Sequence, residues 1–110
     1  MNFSDYQKKS RETAMYRDKD NDYIYPTLGL AGEAGEVAEK IKKVYRGDTG
    51  GVMTEEIKQE LAKELGDVLW YLTQLATELG LSLEEIAQLN LDKLFSRKDR
   101  GVLSGNGDNR

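Results

Sequence analysis

A single proline, Pro26, interrupts a sequence whose apolar residues otherwise recur every three or four positions. That spacing marks one face of an α-helix, and no stretch shows the two-residue alternation of a half-buried strand. The expected fold class is all-α, a four-helix antiparallel bundle per chain. A first helix is expected from Ser4, where Ser4 and Gln7 have capping-box spacing, to about Tyr16. A second runs from near Thr27, just after Pro26, to near Arg46, with Gly47 beyond it. Its apolar stripe is Leu30, Ala34, Val37, Ile41 and Val44.

The third helix has Thr54 as N-cap, with Glu55 and Glu56 well placed in its first turn. Its stripe begins at Ile57 and Leu61, continues through Leu65, Val68, Leu72 and Leu75 to Leu79, and Gly80 stops it. The fourth starts at Ser82, with Glu85 at capping-box spacing, and ends near Ser96. Residues 1–96 then form one domain, and 97–110 a flexible basic tail rich in Gly, Asn, Asp and Arg. Helix three would be about 39 Å long at ~1.5 Å per residue. Such a length, apolar to its end, predicts a homo-oligomer, dimer or tetramer, in which protomers cover each other's helices; a kink in the helix is the alternative.

Composition narrows the chemistry by what is missing. The 110 residues contain no cysteine and no histidine. This excludes disulfides, thiolate zinc sites, Ser-His and Cys-His triads, and the Glu-x-x-His pattern of di-iron bundles. A metal would have to be held by oxygen, which favours Mg²⁺, with Mn²⁺ as a substitute. No apolar run approaches membrane-spanning length and no secretory pattern begins the chain, so a cytoplasmic location is expected. Charge is unevenly spread. Thr54 to Asp92 holds nine acids and two lysines, a net of −7; Lys93 to Arg110 holds five bases and two acids, a net of +3. An overall charge of −4 makes duplex nucleic acid an unexpected partner.

The second and third helices share a short repeat. Leu30 to Val37 reads LAGEAGEV and Leu61 to Val68 reads LAKELGDV, identical at five of eight positions. Apolar matches follow from helix periodicity, but the glutamates, glycines and second acids do not. Residues three apart on a helix share a face, with Cβ atoms about 5–6 Å apart. Glu33 and Glu36 therefore lie on one side of their stripe, and Glu64 and Asp67 lie likewise beside theirs. Packed antiparallel, two such helices could gather four carboxylates at the rim of the core. Such a cluster repels itself unless cations bind within it. Gly29, Gly32, Gly35 and Gly66 each cost roughly 1 kcal/mol relative to alanine inside a helix, which suits close helix approach or room for a ligand.

GEAGE followed by ELGDV resembles the ExxE…ExxD signature of the all-alpha nucleoside triphosphate pyrophosphohydrolases, most closely their MazG-like group. The resemblance covers helices two to four and implies Mg²⁺-dependent hydrolysis of a nucleoside or deoxynucleoside triphosphate to monophosphate and pyrophosphate. It implies Glu33, Glu36, Glu64 and Asp67 as metal ligands, with Glu36 the candidate for taking a proton from water. Tyr71, one turn after Asp67, matches a tyrosine that family members place near the nucleotide. Gln7 matches a first-helix glutamine that some members hold near the base.

Asn90, Lys93 and Arg97 share one face of helix four and resemble the N-x-x-K-L-x-x-R ending of MazG-like proteins. They are candidates for phosphate binding; a hydrogen-bonded core asparagine beside two snorkelling cations is the competing reading. Trp70 faces away from its stripe, as an oligomer contact or a wall for a base. Asp18 to Asp22 begins like an EF-hand loop, but Tyr23 replaces the turn glycine and Gly29 the closing glutamate. The alternative to an enzyme is a non-catalytic helical oligomer that binds metal or nucleotide.

Overall fold

The computed structural model describes all 110 residues, and they form four helices with no strand. α1 spans Phe3–Arg11, α2 Ile24–Tyr45, α3 Glu55–Glu78 and α4 Leu83–Asp99. The expected all-α class with four helices is what the chain adopts.

Local chemistry moves several boundaries. α1 is capped two residues earlier than the Ser4 spacing suggested. Asn2 caps it, accepting from Asp5 N at 2.8 Å, while the Asp5 side chain accepts from Asn2 N. It also stops at Arg11 rather than Tyr16, because Arg11 and Tyr16 turn inward to a shared partner, Glu78. α2 begins before Pro26, not after it. Pro26 sits in the first turn, where a missing N–H breaks no helical bond. α3 matches its expected limits, with Thr54 Oγ1 accepting from Ile57 N at 3.2 Å. Gly80, at φ +71°, closes α3 by allowing Leu81 N to donate back to the Ala76 carbonyl at 2.8 Å. α4 runs on to Asp99, so Arg97 is helical rather than part of the tail.

α2 and α3 form the long antiparallel pair at the centre of the molecule. Facing positions rise along α2 as they fall along α3: Gly29 meets Tyr71, Glu33 meets Asp67, and Lys40 pairs with Glu60 at 3.7 Å. α1 lies on α3 and on α4. The α1–α3 seam is polar: Gln74, fully buried, donates to Ser10 Oγ at 3.0 Å and accepts from Arg11 at 3.1 Å.

The apolar core of one chain is thin. Ala14, Leu61, Ala76 and Leu83, with Pro26, are the only buried apolar side chains. Stripe residues Ile41, Leu65 and Leu79 stay exposed, as do Leu28, Leu89 and Phe95. The radius of gyration is 17.0 Å, against about 13 Å for a compact chain of this length. No helix is long and apolar enough to cross a membrane.

Candidate metal centre

Glu33 of α2 and Glu64 and Asp67 of α3 each direct a carboxylate oxygen to one point. These three oxygens lie within 4.8 Å of one another. The antiparallel register sets Glu33 opposite the i, i+3 pair of α3. Glu36, the fourth acid of the repeat, does not join them: its side chain is exposed, although its charge acts on Glu33. Asp67 has one methylene fewer, which holds its oxygens closer to the helix. A repeated motif thus gives an unequal site, three converging carboxylates with the fourth beside them.

None of the four is paired with a cation. Lysines are at hand, but they go elsewhere: Lys42 pairs with Glu39 at 2.8 Å, and Lys40 with Glu60. Glu33 consequently holds its proton above the ordinary carboxylate range. The largest cause is a carboxyl–carboxyl hydrogen bond with Glu64, followed by burial and the charges of Glu64, Asp67 and Glu36. An all-oxygen donor set under mutual repulsion fits a hard divalent cation.

Tyr71 lies beside this cluster. Its phenol is pushed up first by a hydrogen bond with Tyr25, then by burial and the charges of Tyr25, Glu33 and Asp67. Tyr25 packs against Tyr71 with ring centroids 6.1 Å apart and stacks on Tyr16 at 5.2 Å. Trp70 meets Tyr71 edge-on at 5.1 Å, and its indole N–H donates to Thr13 Oγ1 at 2.8 Å. Within one chain Trp70 therefore pins the segment after α1. Tyr6, missed in the sequence, faces Asp67 from another side; its phenol is raised by burial and then by that charge. With Phe3 and Leu69 it lines a depression of about 310 Å³. Its only signal in the sequence is an aromatic three residues after Phe3.

Other candidate residues stand apart from the carboxylates. Gln7 ties α1 to the α3–α4 corner: its amide donates to Thr77 Oγ1 at 3.1 Å and Leu81 O at 2.9 Å, and accepts from Leu83 N at 2.8 Å. Asn90 is exposed rather than in the core, and borders a surface depression with Ile86, Leu89 and Lys93. Arg97 is almost fully buried, because residues 107–108 fold back over it.

Gly29 and the other glycines divide by role. A Cβ on Gly29 would overlap the ring of Tyr71, so this glycine serves close approach. Gly32, Gly35 and Gly66 have open space where a Cβ would lie.

Residues 26–102 match the family described as the MazG nucleotide pyrophosphohydrolase domain. The chain is 50% identical over 110 residues to the "Gene 37 protein" of Mycobacterium phage L5, covering 96% of each chain. It is 36% identical over 72 residues to the "Uncharacterized protein YvdC" of Bacillus subtilis (strain 168), covering 62% of this chain and 68% of that one. No solved structure matches it. The matched segment holds the repeated acidic motif and the whole helical hairpin that brings its carboxylates together, and the chain belongs to the MazG nucleotide pyrophosphohydrolase family.

Proposed function

We propose that this protein hydrolyses a nucleoside or deoxynucleoside triphosphate to the monophosphate and pyrophosphate, with Mg²⁺ as cofactor and Mn²⁺ as a substitute. The observation that carries the reading is the convergence of Glu33, Glu64 and Asp67 without a cationic partner. These three, with Glu36 beside them, would hold the cation. Bound there, it supplies charge neutralisation for the triphosphate and makes the attacking water more acidic.

The remaining roles belong to the chain's own side chains. Glu36, exposed at the edge of the cluster, accepts the proton of the water that attacks the α-phosphorus. Tyr71 borders the nucleotide. Asn90, Lys93 and Arg97 bind its phosphates. Gln7 acts on the nucleotide side by fixing the helix that carries Tyr6. The uncovered apolar stripes support a homodimer or homotetramer that brings α4 of one protomer toward the carboxylates of another. The cytoplasm, where triphosphates and Mg²⁺ coexist, is the proposed location.

The test is pyrophosphate release from each of the eight common NTPs and dNTPs with Mg²⁺. Glu36→Ala and Asp67→Ala should each abolish turnover and leave the helical circular-dichroism spectrum intact. Near-normal release by either variant overturns the mechanism. Mg²⁺ binding with no release from any nucleotide would instead identify a non-catalytic binding protein.

A further inference from the structure

Two cations of α4 meet one carboxylate of the C-terminal segment. Asp108 Oδ1 lies 3.3 Å from Lys93 Nζ and 3.4 Å from Arg97 Nη2. Arg97 Nη2 also donates to the carbonyls of Asp108 at 2.8 Å and Gly107 at 3.5 Å. Three acceptors thus crowd one nitrogen, while Arg97 Nε is buried with no partner at all. Nε and Nη2 form one edge of the guanidinium, the edge that takes two oxygens of a single anion side by side. The same chain shows that edge satisfied: Arg46 gives Nε and Nη2 to the two oxygens of Asp48, each at 2.8 Å. Arg97 has the fork without the matching ligand, and two positive charges there face one negative charge.

We propose that Lys93 and Arg97 form a polyphosphate site that the Asp108 segment occupies as a displaceable plug. The proposal rests on the phosphate role given above to these two residues. A tri- or pyrophosphate group carries several charges and enough oxygens to engage Nζ, Nη2 and Nε together. Asp108 cannot. Its side chain is 87% exposed, and ion pairs of such groups hold weakly. The segment is also built to move as a unit. Arg110 donates to the carbonyls of Val102, Leu103 and Gly107, so the segment's own contacts survive when it leaves α4. Departure would uncover Arg97, which is 4% exposed with the segment in place. Phosphate binding and tail release are then one event.

Titration calorimetry of the full chain with inorganic tripolyphosphate tests this, in EDTA so that no cation draws the anion to the carboxylate cluster. Asp108→Asn should tighten binding by about two- to fivefold, and Lys93→Gln should weaken it. In the wild type, saturation should shift the backbone amide signals of residues 102–110. If Asp108→Asn binds like the wild type while Lys93→Gln is weakened, the plug is overturned and the phosphate role stands. If neither variant differs from the wild type, both are overturned. If tripolyphosphate releases the segment but no nucleotide is hydrolysed, the plug is supported and only the catalytic reading fails.

Discussion

The ring of Tyr71 fills the volume that a side chain at Gly29 would need, and so locks α2 to α3 four residues before Glu33. Gly29→Ala must displace the ring or part the helices. We expect a loss of about 1–3 kcal/mol in urea unfolding, as for other overpacked contacts. Tyr71→Ala should relieve much of it, so the double variant should be less destabilised than additivity predicts. Purely additive losses would show that the ring and the glycine do not share the space.

Repulsion among Glu33, Glu64 and Asp67 makes the cluster a stability defect that a bound cation would repair. Glu33→Gln should raise the melting temperature in EDTA. Mg²⁺ should stabilise the wild type, and the same variant should lose that stabilisation, with affinity about tenfold weaker or worse. A variant that still gains the full Mg²⁺ shift would remove Glu33 from the ligand set.

The pH dependence of that shift has a defined sign. A carboxyl held above its ordinary value of 4.5 favours the folded state at low pH, and this contribution disappears as pH rises through the raised value. Without a cation, Glu33 therefore weakens the fold as it ionises. Bound Mg²⁺ would take the ionised form as ligand, so the melting-temperature gain should grow as pH rises through that raised value. A gain independent of pH would contradict this.

Glu78 works in the opposite direction. Its carboxylate accepts from Arg11, Tyr16 and the backbone N–H groups of Asp20 and Asp22. Burial works against ionisation, but those hydrogen bonds prevail and hold its pKa at about 2. The stabilisation is present above the ordinary value of 4.5 and disappears as pH falls toward about 2. Glu78→Gln should cost roughly 3 kcal/mol at pH 7, since Arg11 loses the buried carboxylate it pairs with and keeps only the exposed one of Asp20. The gap to wild type should close on acidification, as followed by urea unfolding at each pH.

What the sequence revealed and what it hid have physical causes. The acidic repeat was legible because helix geometry turns a three-residue spacing into a shared face, whatever surrounds it. Convergence of three carboxylates rather than four was not, because side-chain length and exposure decide it after the helices have met. Gln7, Trp70 and Glu78 were opaque for a related reason. Each bonds to partners 56 to 76 residues away, as in Glu78 to Asp22 and Gln7 to Leu83. Polar contacts of that range leave no local periodicity. Asn90 was placed in the core by its position beside the stripe, yet α4 packs on α1 and leaves that face open.

The opposed numbering of α2 and α3 also sets which mutations in length this protein can tolerate. Inserting one residue into α2 between Gly29 and Lys40 turns everything beyond it by about 100° and shifts it by ~1.5 Å. Either the Tyr71 contact or the Lys40–Glu60 pair would then have to give way, and the carboxylates with it. The connection from 46 to 54 lies outside those fixed points, with Gly50 and Gly51 both at positive φ. Growth or shrinkage there leaves the facing pairs in place. Among distant descendants of this chain, the helices should therefore keep their length to the residue while the loop between them drifts freely.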